Sequence, residues 1–177
     1  MVMADKVTIK MQPDISQLRD LLKALNKMDD DSKKALKEEV TSISAWTATG
    51  IRMAAYTGSP MPAQTAVVAQ TVRPNKDRIP NVTIGGSRGR VSGGANAGIL
   101  LYGNEFGSNR NLYGSAGSFA NGGYKFPART PRVGRGNRGY WIFPTLKAMQ
   151  PEITRRWKNA VEEVLDNWNK GSGGGLG

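Results

Sequence analysis

The chain has neither cysteine nor histidine among its 177 residues. Without cysteine there is no disulfide scaffold and no thiol chemistry. Without histidine as well, the commonest zinc sites, the Ser-His-Asp and Cys-His nucleophile systems and the usual neutral-pH general base are all excluded. Asp, Glu, Lys and Ser remain, but they form no recognisable constellation of acid, base and nucleophile. A non-enzymatic role with no metal and no cofactor is therefore expected. Long apolar runs are also missing. No stretch approaches the ~20 apolar residues that span a bilayer. The opening residues 1–6 are charged early and lack the apolar centre of a secretory signal. These features predict a soluble protein, made in a cytoplasm, with no membrane partner.

What is present in excess is positive charge, +11 overall, and it is concentrated. Residues 1–69 hold nine basic and eight acidic side chains, and residues 141–177 hold five and four. Residues 70–140 hold eleven basic side chains against only Asp77 and Glu105. Fifteen of the 22 glycines also fall between Gly85 and Gly139. The ends thus read as ordinary surface helices, and the middle as a basic, glycine-rich stretch that buries too little apolar area to order itself without a partner.

A single domain fits this length. Residues 14–28 read as a helix with Ile15, Leu18, Leu22 and Leu25 on one face. Asp29, Asp30 and Asp31 follow, at the start of a second helix over residues 32–55. Clustered carboxylates there cap free N–H groups and favour the helix dipole, which explains them better than a cation site does. Leu36, Val40, Ile43, Thr47, Ile51 and Ala54 share a face of that helix, with Trp46 beside it, and are expected to pack on the protein's own sheet. Strands are predicted at 65–72, paired with 82–84 across the intervening connection, and at 98–102, with residues 140–143 a fourth strand or an extended lead-in. The last helix places Ile153, Trp157, Ala160, Val161, Val164, Leu165 and Trp168 on one face, again directed at the sheet. Pro151 either starts this helix or kinks a longer one begun near Thr145.

The fold expected is therefore α+β: a small antiparallel sheet packed by an N-terminal helical region and a C-terminal amphipathic helix, with long Gly/Arg-rich loops. The parts of the single domain 1–177 are a helical region at 10–62, a β-rich part at 63–106 and an extended arm at 107–139. A C-terminal helix at 140–169 and a flexible tail at 170–177 complete it.

Residues 134–139 (GRGNRG) match G-x-G-x-x-G, but Thr130-Pro131 precedes them and an aromatic segment follows. The strand and helix that seat a dinucleotide are not expected there. The Arg-Gly pairs at 88–89, 135–136 and 138–139, interspersed with Tyr113, Phe119, Tyr124 and Phe126, suit non-specific proximity to DNA, because arginine on a glycine-rich chain can follow phosphates. No base-reading module accompanies them.

Three features occur in order. A helical region leads to a turn at Thr57-Gly58 and then to a β-hairpin. An apolar strand runs into an acidic-aromatic-Gly-Ser signature, here Ile99 to Ser108 with Glu105-Phe106-Gly107 at its heart. Phe143-Pro144-Thr145-Leu146 opens the last helix. Together they resemble the head–tail joining, neck and tail-completion (tail-terminator-like) family of long-tailed bacteriophages, over roughly residues 10–168. The proline and leucine that usually flank Thr-Gly in that family are absent here.

The resemblance implies a structural virion protein at the neck or tail junction, assembled as a homo-oligomeric ring, a hexamer or a dodecamer, around the DNA channel. Connector or stopper proteins and tail-tube or tail-terminator proteins would be its partners in assembly. Glu105, Phe106, Gly107, Pro144 and Leu146 are then candidates for subunit contact or loop ordering, with Glu105 expected to pair with an arginine of its own or the adjacent subunit and to fix the Phe106-Gly107 turn. Arg88, Arg90, Arg110, Arg129, Arg132, Arg135 and Arg138 are candidates to face the channel or a partner. The alternatives are another minor capsid or minor tail protein, and a non-specific nucleic-acid-binding protein.

Overall fold

The computed structural model describes residues 8–9, 23, 26–59, 62–86, 96–107 and 139–172. In chain order the elements are β1 (Thr8–Ile9), α1 (Asp30–Thr57), α2 (Pro62–Ala69), β2 (Arg73–Pro74), β3 (Val82–Thr83), α3 (Ala97–Phe106) and α4 (Ile142–Ser172). The architecture is α+β and mostly helical, with one small antiparallel sheet in the order β1-β3-β2. Lys23, Asn26 and Lys27 are also helical. The remainder of the helix expected at 14–28, and the tail beyond residue 172, lie outside the described residues.

The starting point of α1 is set by Asp29, whose carboxylate accepts from the Ser32 backbone N–H at 2.7 Å and the Ser32 hydroxyl at 2.9 Å. These hydrogen bonds hold the Asp29 carboxyl below its ordinary range. The aspartate cluster is thus a helix cap, as its position suggested. At the other end the Gly58 N–H donates to the Ala54 carbonyl at 2.8 Å.

α1 and α4 form an antiparallel pair, each over 40 Å long at ~1.5 Å per residue. The first half of α1 (Leu36, Val40, Ile43) packs with the second half of α4 (Ile153, Trp157, Ala160, Val161, Val164). The second half of α1 (Ala48, Ile51, Ala55) packs with Trp141, Ile142 and Leu146. Met149 packs its thioether over Gly50, where a Cβ would lie 2.6 Å from the sulfur. Arg156 adds a cation–π contact over Trp46, 4.5 Å from the ring centroid. Both long helices were expected to pack on the sheet, but they pack on each other. Strands of two residues offer too little surface to cover two such apolar faces.

Several expected strands are helices. Residues 65–72 lie in and just after α2, because Pro62 is preorganised for a first helical turn and Thr65, Val68, Ala69 and Val72 are buried at spacings of three, four and seven. Their β-branched content suggested a strand, but their spacing is helical. Residues 98–102 lie in α3, where Ala97, Leu100, Leu101, Asn104 and Glu105 form the buried stripe while Tyr102 is 55% exposed. In the segment 140–143 the lead-in survives as Tyr140-Trp141, and Ile142-Phe143 already begin α4. The β-rich part expected at 63–106 is therefore two helices around one hairpin. Val82-Thr83 is a strand as expected, but it pairs with Arg73-Pro74, inside the predicted connection. Pro151 falls within α4. It sits on the exposed side, as does Lys147, the residue whose carbonyl it cannot bond, so water can reach the freed group.

The hairpin is tied down by polar groups. Asn75 donates from Nδ2 to the Asn81 side-chain carbonyl and, at 2.7 Å, to the Thr83 hydroxyl. The Asn81 N–H donates to Ser44 Oγ of α1 at 3.2 Å, and Trp157 Nε1 of α4 donates to the Arg78 carbonyl at 3.1 Å. Trp157→Phe keeps most of the apolar burial and loses this bond, so it should cost about 1 kcal/mol. Trp157→Ala also opens a cavity in the helix pair and should cost about 3–5 kcal/mol. Urea titrations followed by circular dichroism measure both, and equal costs would show that the indole N–H carries the whole effect.

Candidate functional site: the junction that closes the 108–138 segment

The candidate residues around Glu105 converge on one buried junction. α3 presents Glu105, 1% exposed, to the start of α4. The Glu105 backbone carbonyl accepts from the Tyr140 N–H at 2.8 Å. Its carboxylate accepts from the next three: Trp141 N–H at 3.2 Å and Ile142 N–H at 2.9 Å on Oε2, and Phe143 N–H at 2.8 Å on Oε1. A helix N-terminus leaves its first N–H groups without intrahelical partners and carries partial positive charge. Glu105 meets both needs from 36 residues away. Burial pushes its carboxyl above the ordinary glutamate value of 4.5, while the three amide hydrogen bonds pull it back. The partners of this carboxylate among the described residues are backbone amides, and the arginines nearest it in sequence lie outside the described residues.

Close approach at this point depends on glycine. A Cβ on Gly139 would fall 1.5 Å from Glu105 Oε1, inside the atom itself. Gly107 adopts a φ of 70°, a left-handed conformation that ends α3, and its N–H donates to the Gly103 carbonyl at 2.9 Å. The rings of Tyr102, Phe106 and Phe143 form a row, with centroids 5.1 and 5.5 Å apart, on the outer side of the junction. Gly58, of the Thr57-Gly58 turn, packs near Trp141: a Cβ there would lie 3.8 Å from the Trp141 Cβ.

Among the predicted site residues, Glu105 and Gly107 are buried, Phe106 is half-buried, Pro144 is exposed, and Leu146 belongs to the core with Ile142 and Trp141. Arg88, Arg90, Arg110, Arg129, Arg132, Arg135 and Arg138 lie outside the described residues, as does all of the G-x-G-x-x-G stretch except Gly139. Their points of attachment are described. The chain leaves at Gly107 and returns at Gly139, both held by Glu105 and its neighbours. The intervening residues 108–138 carry six basic and no acidic side chains. At the other end of α3 the Gly98 N–H donates to the Gly86 carbonyl at 2.9 Å, closing residues 87–95, which carry Arg88 and Arg90 and no acid. Eight cationic side chains are thereby inserted at the two ends of one helix about 15 Å long.

Sequence spacing gives no sign of Gly139 as a contact point, nor of the hairpin clamp formed by Ser44, Asn81 and Trp157. Periodicity along the chain holds no signal for a contact between residues tens of positions apart. Among the described residues no group of acidic side chains could hold a metal ion, and no helix is long and apolar enough to cross a membrane. Two buried groups at the junction, the Asn104 amide and the Trp141 indole N–H, have no hydrogen-bond partner among the described residues.

Comparison with known proteins found no matching family model, no similar curated protein and no similar solved structure.

Glu105→Gln replaces one acceptor oxygen with a donor facing an N–H, so it should cost about 1–3 kcal/mol in a urea titration at neutral pH. A raised folded-state pKa means the folded protein binds this proton more readily than the unfolded chain. The stability contributed by protonation is present below the unfolded value of 4.5 and lost as pH rises through the folded one. The stability difference between the parent and Glu105→Gln should therefore shift in favour of the parent as pH is lowered toward that range. Gly139→Ala must displace the Glu105 carboxylate and should cost about 3 kcal/mol. A neutral Gly139→Ala would contradict the geometry of the junction.

Proposed function

We propose that this chain is a structural subunit of a closed ring at the neck or tail junction of a long-tailed phage virion, built around the channel through which DNA passes. The observation that carries the reading is the convergence of three sequence features. Gly58, Glu105-Phe106 and Phe143 lie far apart in the chain and converge around the buried Trp141, which Leu146 joins in the core. The hairpin expected after Thr57-Gly58 and the strand expected before Glu105 are the helices α2 and α3, so the support comes from the residues of the junction alone. The charge distribution agrees with such a role, since the basic segments 87–95 and 108–138 are rooted at the two ends of α3. A ring of such subunits would gather that charge many times over and favour a nucleic-acid polyanion nearby. Connector or stopper proteins on one side and tail-tube or terminator proteins on the other are the partners this reading requires. It involves no catalysis and no cofactor.

The test is the mass of the full chain in solution without DNA. Native mass spectrometry should show a closed hexamer or dodecamer, and negative-stain images an annulus. A chain that stays monomeric at every concentration, and binds free duplex in a salt-dependent manner, would be the non-specific nucleic-acid-binding protein instead. Because Gly107 and Gly139 are held together, replacing residues 108–138 by a short Gly-Ser linker should leave the helical circular dichroism signal and cooperative melting of the body in place. Loss of cooperative melting would mean that the segment is part of the body's core.

A further inference from the structure

Eight polar side chains are buried among the described residues, and seven of them meet a protein group. Ser44, Thr47 and Thr71 donate to carbonyls of their own helices, and Ser59 and Thr65 bond each other. Asn81 donates to Asp77, and Glu105 accepts from three amides. Asn104 is the exception. It is 0% exposed, and neither its Nδ2 nor its Oδ1 has a hydrogen-bond partner among the described residues. The buried tryptophans show the same contrast. Trp157 Nε1 reaches the Arg78 carbonyl, whereas Trp141 Nε1, on a side chain 1% exposed, has no partner among the described residues.

Both groups belong to the joint between α3 and α4. Asn104 lies one turn beyond Leu100 and Leu101 on the buried stripe of α3, and those leucines share a core cluster with Trp141. The next residue, Glu105, accepts from the Trp141 N–H at 3.2 Å. The backbone around them is already engaged. The Gly103 carbonyl accepts from the Gly107 N–H and the Glu105 carbonyl from the Tyr140 N–H, while the N–H groups of Trp141, Ile142 and Phe143 serve the Glu105 carboxylate.

A buried amide with neither atom bonded has lost its hydration without replacement, and native proteins meet such groups with enclosed water. The chemistry of the site narrows the occupant. Asn104 offers donors and an acceptor together, so the occupant must both accept and donate. An anion would face the Glu105 carboxylate, and a cation would face N–H donors. Full burial admits only a small neutral molecule.

We propose that the junction of α3 and α4 encloses water bound to the Asn104 amide. This accounts for an amide directly after the apolar positions Ala97, Leu100 and Leu101 on the same stripe. Asn104 anchors the water while its neighbour Glu105 anchors the start of α4. The bound water is a property of the single subunit and holds whether or not subunits close into a ring.

The experiment uses the full chain in solution with isotope-labelled asparagine. Rotating-frame NOE spectra should show cross-peaks between water and the Asn104 side-chain amide protons, with the sign of dipolar contact, opposite to that of exchange. Asn104→Leu keeps the approximate size of the side chain and removes both polar atoms. It should lose at least one long-lived water in oxygen relaxation dispersion of the solvent signal. Asn167→Leu, at an exposed position of α4, should leave that number unchanged. Unchanged circular dichroism confirms the fold of each variant.

Absence of a dipolar water contact at the Asn104 amide would overturn the proposal, and that measurement needs no variant. It alone decides the matter if Asn104→Leu does not fold. An unchanged water number in folded Asn104→Leu would also overturn it, as would an equal loss in Asn167→Leu. A crystal structure in which protein groups bond both amide atoms would do the same.

Discussion

The described structure depends on one carboxylate. Glu105 closes α3 onto the first turn of α4 by accepting three successive N–H groups, with a fourth taken by its own carbonyl. A 31-residue helix would otherwise begin inside the core with its free amides facing apolar side chains, and unmet buried amides are costly. A local N-cap could meet the same need from within a few residues. Here the cap comes from another element, so the starting point of α4 and the position of α3 are decided together. Trp141, Ile142 and Leu146 then enter the core in fixed places against Ala48, Ile51 and Ala55.

That coupling has a consequence for the basic middle of the chain. Because Glu105 meets both Gly139 and the residues after it, the segment 108–138 leaves and returns at one point. The body does not need the segment to bridge any distance within the described structure. A second closure, Gly86 to Gly98, does the same for residues 87–95. Insertions of this kind vary in length at small entropic cost, since closing a longer loop costs only about 0.6 kcal/mol per doubling. The charged middle thus joins the folded body at two closed points, one at each end of α3.

Much of the helical frame was legible from spacing. The stripe Leu36, Val40, Ile43, Thr47 and Ile51 and the stripe Ile153, Trp157, Ala160, Val161 and Val164 are buried as read, while Ala54, Leu165 and Trp168 at their edges are half-buried. The aspartates before α1 serve as a cap. Short apolar runs were less legible. Residues 65–72 and 98–102 are rich in residues that favour strands, and helices claim most of the first and all of the second. A run of under ten buried residues satisfies either period, and its neighbours decide. The partners of the long helices were misread for a related reason: an apolar face shows that something covers it and does not show what.

The sequence by itself determined the long helices, their buried faces, the cap at Asp29, the absence of thiol and imidazole chemistry, and the concentration of positive charge in residues 70–140. These follow from composition and from periods of a few residues, which are local. Only the tertiary structure decided that the two long helices pair with each other, that Glu105 meets amides, and that Gly139 must be glycine. It also decided that Trp157 and Ser44 hold the hairpin. Each of those is a contact between residues tens of positions apart. Its energy depends on burial and on hydrogen-bond geometry, and neither exists until the chain has folded.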